Sequence, residues 1–334
     1  MRKPQHPGAA VLVALVLSLP LFVQAQQLDS PADQTTARGI ELYRQGKTFE
    51  AIKVLLQVVE KHKDDADAWY YLGLAQYSEE WIGGARDSFE RLVELRPNSA
   101  DAQAKLSYAL ILGNQPKEAL ATAKRALELG DQSAEPHYAI AEASLRNGDP
   151  GNALEEVSNT LKLKPDFLPA LITKSFAHYS LKQYSESAES LERFLATSPN
   201  DADAGIWREQ LQQLRALANR SPVDSATGSP TNPQTSQPVT ILGRDATSKA
   251  RVLEKPEAGY TEAARKAGVT GTVVLKGVFA SDGQVKNLFV VRALSYGLVS
   301  KAVSAARRIK FEPAIKDGHS VSQYIQLEYT FNLY

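Results

Sequence analysis

The sequence predicts a solenoid of paired α-helices followed by a small two-layer domain of α-helices and β-strands. A 34-residue repeat runs through 32–199, proline, serine and threonine are frequent in 220–259, and alternating strand patterns occupy 260–334. The chain has 334 residues, of which 43% are hydrophobic and 23% charged. These values are ordinary for globular proteins, so we expect most of the chain to fold, as about two domains.

Charge balance and cysteine content exclude several functional classes. The 38 Lys and Arg residues equal the 38 Asp and Glu residues in number, which removes the electrostatic case for nonspecific nucleic-acid binding. The absence of cysteine excludes disulfides, thiolate zinc sites, cysteine nucleophiles and a lipid-modified N-terminal cysteine. The five histidines lack metal-ligand spacing and no catalytic motif is present. The sequence therefore predicts no enzyme, no metal site and no cofactor.

Residues 1–25 are typical of an export signal. Arg2 and Lys3 precede an uncharged, mostly apolar run over 8–23, and small residues at Val23 and Ala25 form a cleavage site. A run of this length reaches roughly 24 Å as a helix, short of a hydrocarbon core of roughly 30 Å. Cleavage after Ala25 predicts a periplasmic protein of a two-membrane bacterium. The alternative is an uncleaved anchor that holds the chain on the periplasmic side of the inner membrane.

The repeat of 34 residues recurs five times without slippage. One series marks the repeat boundaries and another keeps a small residue: Lys63, Pro97, Asp131, Pro165 and Pro199; Ala51, Ala85, Ala119, Ala153 and Ser187. Each unit has two helix-length segments with 3.6-residue periodicity. One helical pair cannot bury its apolar face alone, so the repeats are expected to stack, with an extra helix over 201–219 covering the open end.

The second unit carries the consensus residues of a known repeat at the expected spacing: Trp69, Leu72, Gly73, Ala85, Phe89 and Pro97. It resembles the tetratricopeptide repeat, and departs from it where Gln76 replaces a tyrosine and Tyr77 stands one place late. The predicted repeat domain, including the extra helix, is 32–219.

Solenoids of this kind bind partners on the inner surface of each first helix. Counting along the repeats places six tyrosines there: Tyr43, Tyr70, Tyr77, Tyr108, Tyr138 and Tyr179. They could form an aromatic groove that grips an extended peptide or a partner helix. Alternatively, several of them pack between repeats with only the hydroxyl in water.

Residues 220–259 have the composition of a disordered linker, because they contain no aromatic side chain and many prolines. The sequence does not decide whether 239–242 forms a short strand. The parts on either side differ in charge. Residues 251–334 carry 12 basic and 7 acidic residues, a net of +5, whereas 32–250 carry 24 and 30, a net of −6. We expect a weak attraction between the two parts that salt would screen.

The C-terminal part, 260–334, alternates helix and strand patterns. Asp282-Gly283 is a strong hairpin signal, and Gly268 ends the first helix. The predicted elements are a helix at 261–267, strands at 271–280 and 284–292, a helix at 298–310 and a strand at 321–333. Two helices covering one face of a three-stranded sheet would give a two-layer α+β domain.

A set of spaced residues runs through most of this domain: Tyr260, Ala263, Ala264, Arg265, Gly268, Val269, Gly271, Val273, Ser281, Asp282, Gly283, Val285, Ala302, Val303, Ala305, the segment 309–314, Asp317, Gly318 and Val321. In this pattern 260–334 resembles the C-terminal domain of TonB and its relatives. Thr261 stands where the family usually has proline, and threonine can cap the helix that follows.

The resemblance implies that the sheet edge at the last strand captures a short segment of an outer-membrane receptor, and that inner-membrane motor proteins pull through an N-terminal anchor. An open edge presents unpaired N–H and C=O groups to a partner strand. The predicted contact residues are Gln323, Tyr324, Ile325, Gln326, Leu327, Glu328, Tyr329 and Thr330. Alternatively, the preceding linker covers this edge, or a homodimer pairs it.

Two functions follow from these patterns. The first is a non-enzymatic cell-envelope adaptor of the TonB family, in which the solenoid binds one protein, the C-terminal domain binds another and the linker joins them. The alternative is a membrane-anchored energy transducer for transport through outer-membrane receptors. Membrane contact is expected only if the N-terminal segment stays uncleaved.

Overall fold

The computed structural model describes residues 31–219 and 240–333. The predicted export signal and the first half of the predicted linker lie outside these residues. Within the described ranges, no helix combines the length and apolar character needed to cross a membrane.

The first described range forms five helical pairs and one further helix. Its helices are α1 Pro31–Arg44, α2 Thr48–Lys61, α3 Ala66–Ser78, α4 Ile82–Leu95, α5 Ala100–Leu112, α6 Pro116–Glu128, α7 Ala134–Arg146, α8 Pro150–Leu163, α9 Leu168–Ser180, α10 Tyr184–Thr197 and α11 Ala204–Ala218. Consecutive helices pack on one another along the whole array. The solenoid prediction is confirmed.

Small residues let the two helices of a pair approach closely. A Cβ atom built on Gly73 of α3 would lie 2.6 Å from the ring of Phe89 on α4, and Phe89 is only 2% exposed. In the fifth pair Ser175 takes the small position, and its hydroxyl donates to the backbone carbonyl of Ser187 at 2.9 Å. The alternation of small and large residues that the 34-residue period predicts therefore fixes the helix spacing.

The second described range, 240–333, is here called the β-domain. Its helices and strands are β1 Thr240–Ile241, β2 Arg251–Glu254, α12 Glu262–Lys266, β3 Gly271–Phe279, β4 Val285–Arg292, α13 Leu298–Ala306, β5 Lys310–Glu312, β6 Ala314–Lys316 and β7 His319–Phe331. The main sheet has the order β1-β7-β3-β4, with β6 also paired to β7, while β2 and β5 form a separate pair. Buried residues of α12, α13 and one sheet face share a core, which confirms the predicted α+β architecture.

Two predicted elements of the β-domain, the last helix and the last strand, have wrong boundaries. The helix predicted to continue to Lys310 ends at Ala306, because 310–312 pair with β2 as strand β5. Across that pair Arg251 contacts Glu312 at 2.8 Å and Lys310 contacts Glu254 at 2.8 Å. The last strand begins at His319 instead of Val321, since a turn at 317–318 folds β6 back on it.

The second half of the predicted linker belongs to the β-domain. Strand β1 pairs in parallel with β7, strand β2 pairs with β5, and Ser248 forms a bridge with Ile315. Ile241 is buried at 7% exposure. The composition of 240–259 did not indicate this pairing. All four side chains of β2 are exposed, so the strand pairs through its backbone without an apolar side-chain pattern.

Candidate protein-binding surfaces

Three of the six predicted groove tyrosines form a continuous ladder on the inner helices of the solenoid. The ring of Tyr108 lies 5.6 Å from that of Tyr77 and 5.9 Å from that of Tyr138, in both cases edge to face. Phe167 joins the ladder at 5.0 Å from Tyr138. The repeat register did not predict Phe167, because it lies in the connection before α9 instead of on an inner helix.

The other three tyrosines lie elsewhere. Tyr43 and Tyr70 both contact Tyr71, at 5.8 and 5.2 Å between ring centroids, and so form a separate cluster in the first two repeats. Tyr179 stacks at 4.1 Å on Phe289, a residue of strand β4. The six predicted residues therefore form a ladder, an N-terminal cluster and a contact with the β-domain.

The ladder grades from open to buried. Tyr77 is 38% exposed, whereas Tyr138 is 7% exposed. Burial raises the pKa of Tyr138 and of Tyr108 well above the ordinary value for tyrosine. Burial also raises the pKa of Tyr77, although the hydroxyl of Tyr108 opposes this shift. The three phenols therefore remain neutral hydrogen-bonding groups.

A cavity of about 640 Å³ separates this ladder from the β-domain. The solenoid contributes Tyr77, Tyr108 and Tyr138 to its wall, and the β-domain contributes Leu294 and Tyr296. Burial raises the pKa of Tyr296 to about 12, and the nearby carboxylate of Glu80 adds to the shift.

A chain of polar side chains joins two inner helices and one turn at the wall of the cavity. The hydroxyl of Thr173 donates to Glu142, and the guanidinium of Arg146 contacts Glu142 at 3.4 Å and donates to the Asn114 side chain at 2.6 Å. These bonds link α7 to α9 and to the turn after α5. Among the described residues, no group of His, Cys, Asp or Glu side chains has an arrangement that could hold a metal ion.

The β-domain docks on the solenoid chiefly through α11. The side-chain amide of Gln210 accepts a hydrogen bond from the Val290 N–H at 2.9 Å and donates to the Val290 carbonyl at 3.3 Å. Gln213 donates to the Leu288 carbonyl at 3.0 Å. Helix α11 therefore covers the outer edge of β4, rather than only closing the open end of the solenoid.

Further contacts extend the interface beyond the centre of α11. The Asp203 carboxylate accepts from the Ser300 N–H at 2.7 Å, and Glu209 pairs with Arg307. Near the second repeat, the Ile82 N–H donates to the Ala267 carbonyl at 3.3 Å. Buried residues from α9, α10 and α11 belong to the same apolar core as those of the β-domain. The two folded parts therefore form one packed unit.

At the opposite edge of the sheet, β7 is only partly covered. Strand β1 pairs with Ser322 and Gln323, and the Gln323 side chain also accepts from the Ala250 N–H at 2.9 Å. The side chain of Gln323 is therefore already bonded within the β-domain. From Tyr324 onward, none of the described residues forms a strand along this edge. The alternative prediction, that the segment preceding the domain covers this edge, is therefore correct for the first residues of the edge.

The direction of the backbone groups along β7 follows from one contact. The Lys255 ammonium donates to the Glu328 carbonyl at 2.7 Å from outside the sheet. The N–H and C=O of one strand residue point to the same side, and this side alternates along the strand. The residues whose backbone groups face away from β3 are therefore Tyr324, Gln326, Glu328 and Thr330. The backbone groups of Ile325, Leu327 and Tyr329 face β3, and the Leu327 and Tyr329 side chains are buried.

Comparison with known families agrees with both folds. The family model of the Gram-negative bacterial TonB protein C-terminal domain matches residues 256–333, and a tetratricopeptide repeat model matches 36–100 and 82–134. The chain carries tetratricopeptide repeats and a TonB C-terminal domain. Both are families of protein-interaction domains, and TonB domains belong to envelope proteins. The TonB match begins within the segment that the sequence alone assigned to the linker.

Solved structures similar to the chain are tetratricopeptide proteins. PilW, a type IV pilus biogenesis factor, is 17% identical with a TM-score of 0.46, over 56% of this chain and 87% of PilW. YrrB, described as having an unusual peptide-binding site, is 19% identical with a TM-score of 0.42, over 52% of this chain and 90% of YrrB. A protein from Thermus thermophilus is 19% identical with a TM-score of 0.41, over 55% of this chain and 99% of that protein. No curated protein matches the chain significantly.

Proposed function

We propose that the protein is a non-enzymatic adaptor of the bacterial cell envelope that captures a partner strand on the outer edge of β7. The observation that carries this proposal is the difference between the two edges of the sheet. At the β4 edge, Gln210 and Gln213 occupy the backbone groups of Val290 and Leu288. At the β7 edge beyond β1, no strand within the described ranges pairs with the outward backbone groups of Gln326 and Thr330.

A strand added to β7 would gain hydrogen bonds worth about 0.5–1.5 kcal/mol each. It would displace the Lys255 ammonium, which also lies 4.8 Å above the Tyr329 ring. The outward side chains would add specificity, since Tyr324 is 55% exposed. Outer-membrane receptors are the partner class that the TonB family suggests for this edge, and transport through them is the process that it would serve.

The tyrosine ladder supplies the second protein-binding surface of the proposed adaptor. It is aromatic, and its neutral hydroxyls suit the backbone of an extended peptide or the side chains of a helix. Linking two such surfaces in one chain raises the effective concentration of one partner near the other.

Backbone capture at β7 can be tested with a proline. A photoreactive amino acid at Tyr324 in cells producing the full chain should crosslink the partner. Gln326→Pro removes an outward N–H and should abolish this crosslink, whereas Gln326→Ala keeps the N–H and should preserve it. Undiminished crosslinking by a folded Gln326→Pro variant would show that β7 is not the capture edge. The same probe at Tyr77 would then identify partners of the ladder.

The proposed location is the periplasm, after cleavage at Ala25. The N-terminal sequence of the purified protein should begin at Gln26, and cell fractionation should recover it with periplasmic proteins. Recovery of the full-length chain in the inner membrane, with Met1 retained, would instead support the anchored energy transducer.

A further inference from the structure

The β-domain occupies the surface that a groove-binding partner would use. The cavity beside the ladder is closed on its far side by residues 291–296, at the end of β4 and in the loop that follows. Its volume of about 640 Å³ accommodates a few side chains. An extended chain crossing several repeats along the inner helices would collide with Leu294 and Tyr296.

The docking contacts are specific to this pair of surfaces. Gln210 is 1% exposed and supplies one acceptor and one donor to the same residue, Val290, which is also 1% exposed. This is how a neighbouring strand pairs with a strand residue. The stacking of Tyr179 on Phe289 at 4.1 Å places a predicted groove residue directly in the interface.

Opposite charges meet around the rim of the interface. Glu209 on α11 pairs with Arg307, and both side chains are about half exposed. Glu79 lies 4.0 Å from Lys266, whose ammonium is 5.5 Å above the Phe49 ring. An exposed pair such as that of Glu209 and Arg307 contributes little stability and is screened by salt. The interface thus combines a specific buried centre with a charged, partly exposed rim.

We infer that the β-domain is a built-in competitor for the inner face of the solenoid. In the docked arrangement the chain is closed, and an extended peptide binds across the tyrosine ladder only after the β-domain leaves. This inference rests on the proposed function, because it assumes that the ladder binds a peptide. Its consequence is that the apparent affinity of the ladder for a peptide falls in proportion to the fraction of open molecules.

The chain offers a clean way to lock the closed state, because it contains no cysteine. A Cβ atom built on Gly297 lies 3.5 Å from the Ala202 Cβ across the interface, within the range of disulfides. The double variant Ala202→Cys/Gly297→Cys should therefore crosslink the two parts on oxidation. Gly297 has a φ of +76°, so a cysteine there is strained. The single variant Gly297→Cys carries the same strain without the crosslink and is the matched control.

The open state is favoured by Gln210→Ala, which leaves the Val290 N–H without its partner. Gln212→Ala, at an exposed position of the same helix, is the control. Hydrogen exchange over 285–292 in the full chain reports opening, and should be faster in Gln210→Ala than in the wild type and in Gln212→Ala.

The competition is measured with twelve-residue peptides selected by phage display on Gln210→Ala, keeping those that lose binding in the additional variant Tyr108→Ala. We expect the oxidised double-cysteine chain to bind these peptides at least ten-fold more weakly than the same chain after reduction. The reduced chain should match the single Gly297→Cys control, and Gln210→Ala should bind more tightly than the wild type.

Three results would overturn the inference in different ways. Equal binding by the oxidised and reduced chains would show that the ladder is accessible with the β-domain docked, while leaving peptide binding intact. Failure of the two cysteines to crosslink, together with hydrogen exchange over 285–292 that is as fast in the wild type as in Gln210→Ala, would show that the docked arrangement is not populated. Recovery of no Tyr108-dependent peptide from a variant that exchanges freely over 285–292 would refute peptide binding by the ladder itself, and the competition with it.

Discussion

The side-chain amide of Gln210 pairs with the main chain of Val290 as a neighbouring β-strand would, accepting at 2.9 Å and donating at 3.3 Å. Together with Gln213, which donates to the Leu288 carbonyl, this glutamine of the last solenoid helix covers one edge of the β-sheet. The opposite edge, on β7, retains outward-facing backbone groups at Gln326 and Thr330 with which no described strand pairs. This asymmetry determines which surfaces of the chain are available to partners.

The packing of the second repeat predicts a large loss of stability on Phe89→Ala. The ring is 2% exposed and fills the space above Gly73, so its removal should lower the free energy of unfolding by about 3–5 kcal/mol. Phe49→Ala is the matched control, because Phe49 is 45% exposed, and should cost under about 1 kcal/mol. Urea denaturation measures both. A similar small loss for the two variants would contradict the assigned packing.

The alternating direction of the backbone N–H groups along β7 predicts opposite effects of proline at adjacent positions. Ile325 is paired with Gly277 of β3, so Ile325→Pro removes a ladder hydrogen bond and should destabilise the β-domain by about 1–3 kcal/mol or unfold it. Gln326→Pro should leave the β-domain folded, because that N–H faces outward. Circular dichroism and thermal unfolding distinguish the two. The reverse order of stability would mean that the direction of these N–H groups is assigned wrongly.

The buried carboxyl of Asp203 predicts a pH-dependent effect. Burial raises its pKa above the usual 3.8, against hydrogen bonds from Ser300. The folded state therefore binds the carboxyl proton more tightly than the unfolded state does. At a pH above the folded pKa the buried carboxylate is ionised, and its charge destabilises the fold. This destabilisation disappears as the pH falls below about 3.8, where the carboxyl is protonated in both states.

Asp203→Asn keeps an oxygen to accept from the Ser300 N–H and removes the charge. The stability that Asp203→Asn gains over the wild type should therefore be larger at about pH 7 than at about pH 3.5. Urea denaturation at both pH values tests this. A relative stability that rises toward acid would show that the carboxylate is stabilised by its surroundings instead.

Docking of the β-domain predicts that the two parts stay together after the chain is cut between them. A protease site inserted within 220–239 should yield fragments that co-elute in size-exclusion chromatography after cleavage, since the buried contacts of Gln210 and the stacking of Tyr179 on Phe289 persist. Gln210→Ala should weaken this association, and Gln212→Ala should not. Separate elution of the wild-type fragments at low salt would mean that the interface does not hold without the tether.

The sequence by itself determined the solenoid and the identity of both domains. The 34-residue period encodes the contact between small and large residues, such as Gly73 and Phe89, which depends only on position within the repeat. In the β-domain, the Asp282-Gly283 turn and the alternating last strand define the central hairpin and β7 because turn chemistry and two-residue periodicity are local. The net charges of +5 and −6 also pointed to an attraction between the two parts.

Only the tertiary structure decided what covers each surface. Residues 240–259 join the β-domain through backbone pairing, which leaves no apolar pattern in the side chains. Gln210 and Gln213 are indistinguishable from other polar residues of an amphipathic helix until β4 lies beside them. The outward direction of Gln326 depends on which neighbour β7 pairs with, since a strand's side-chain pattern shows its two faces and not its two edges. Local patterns therefore specified the elements, while the exposure of the binding edge and the occupation of the tyrosine ladder depend on contacts between residues far apart in the chain.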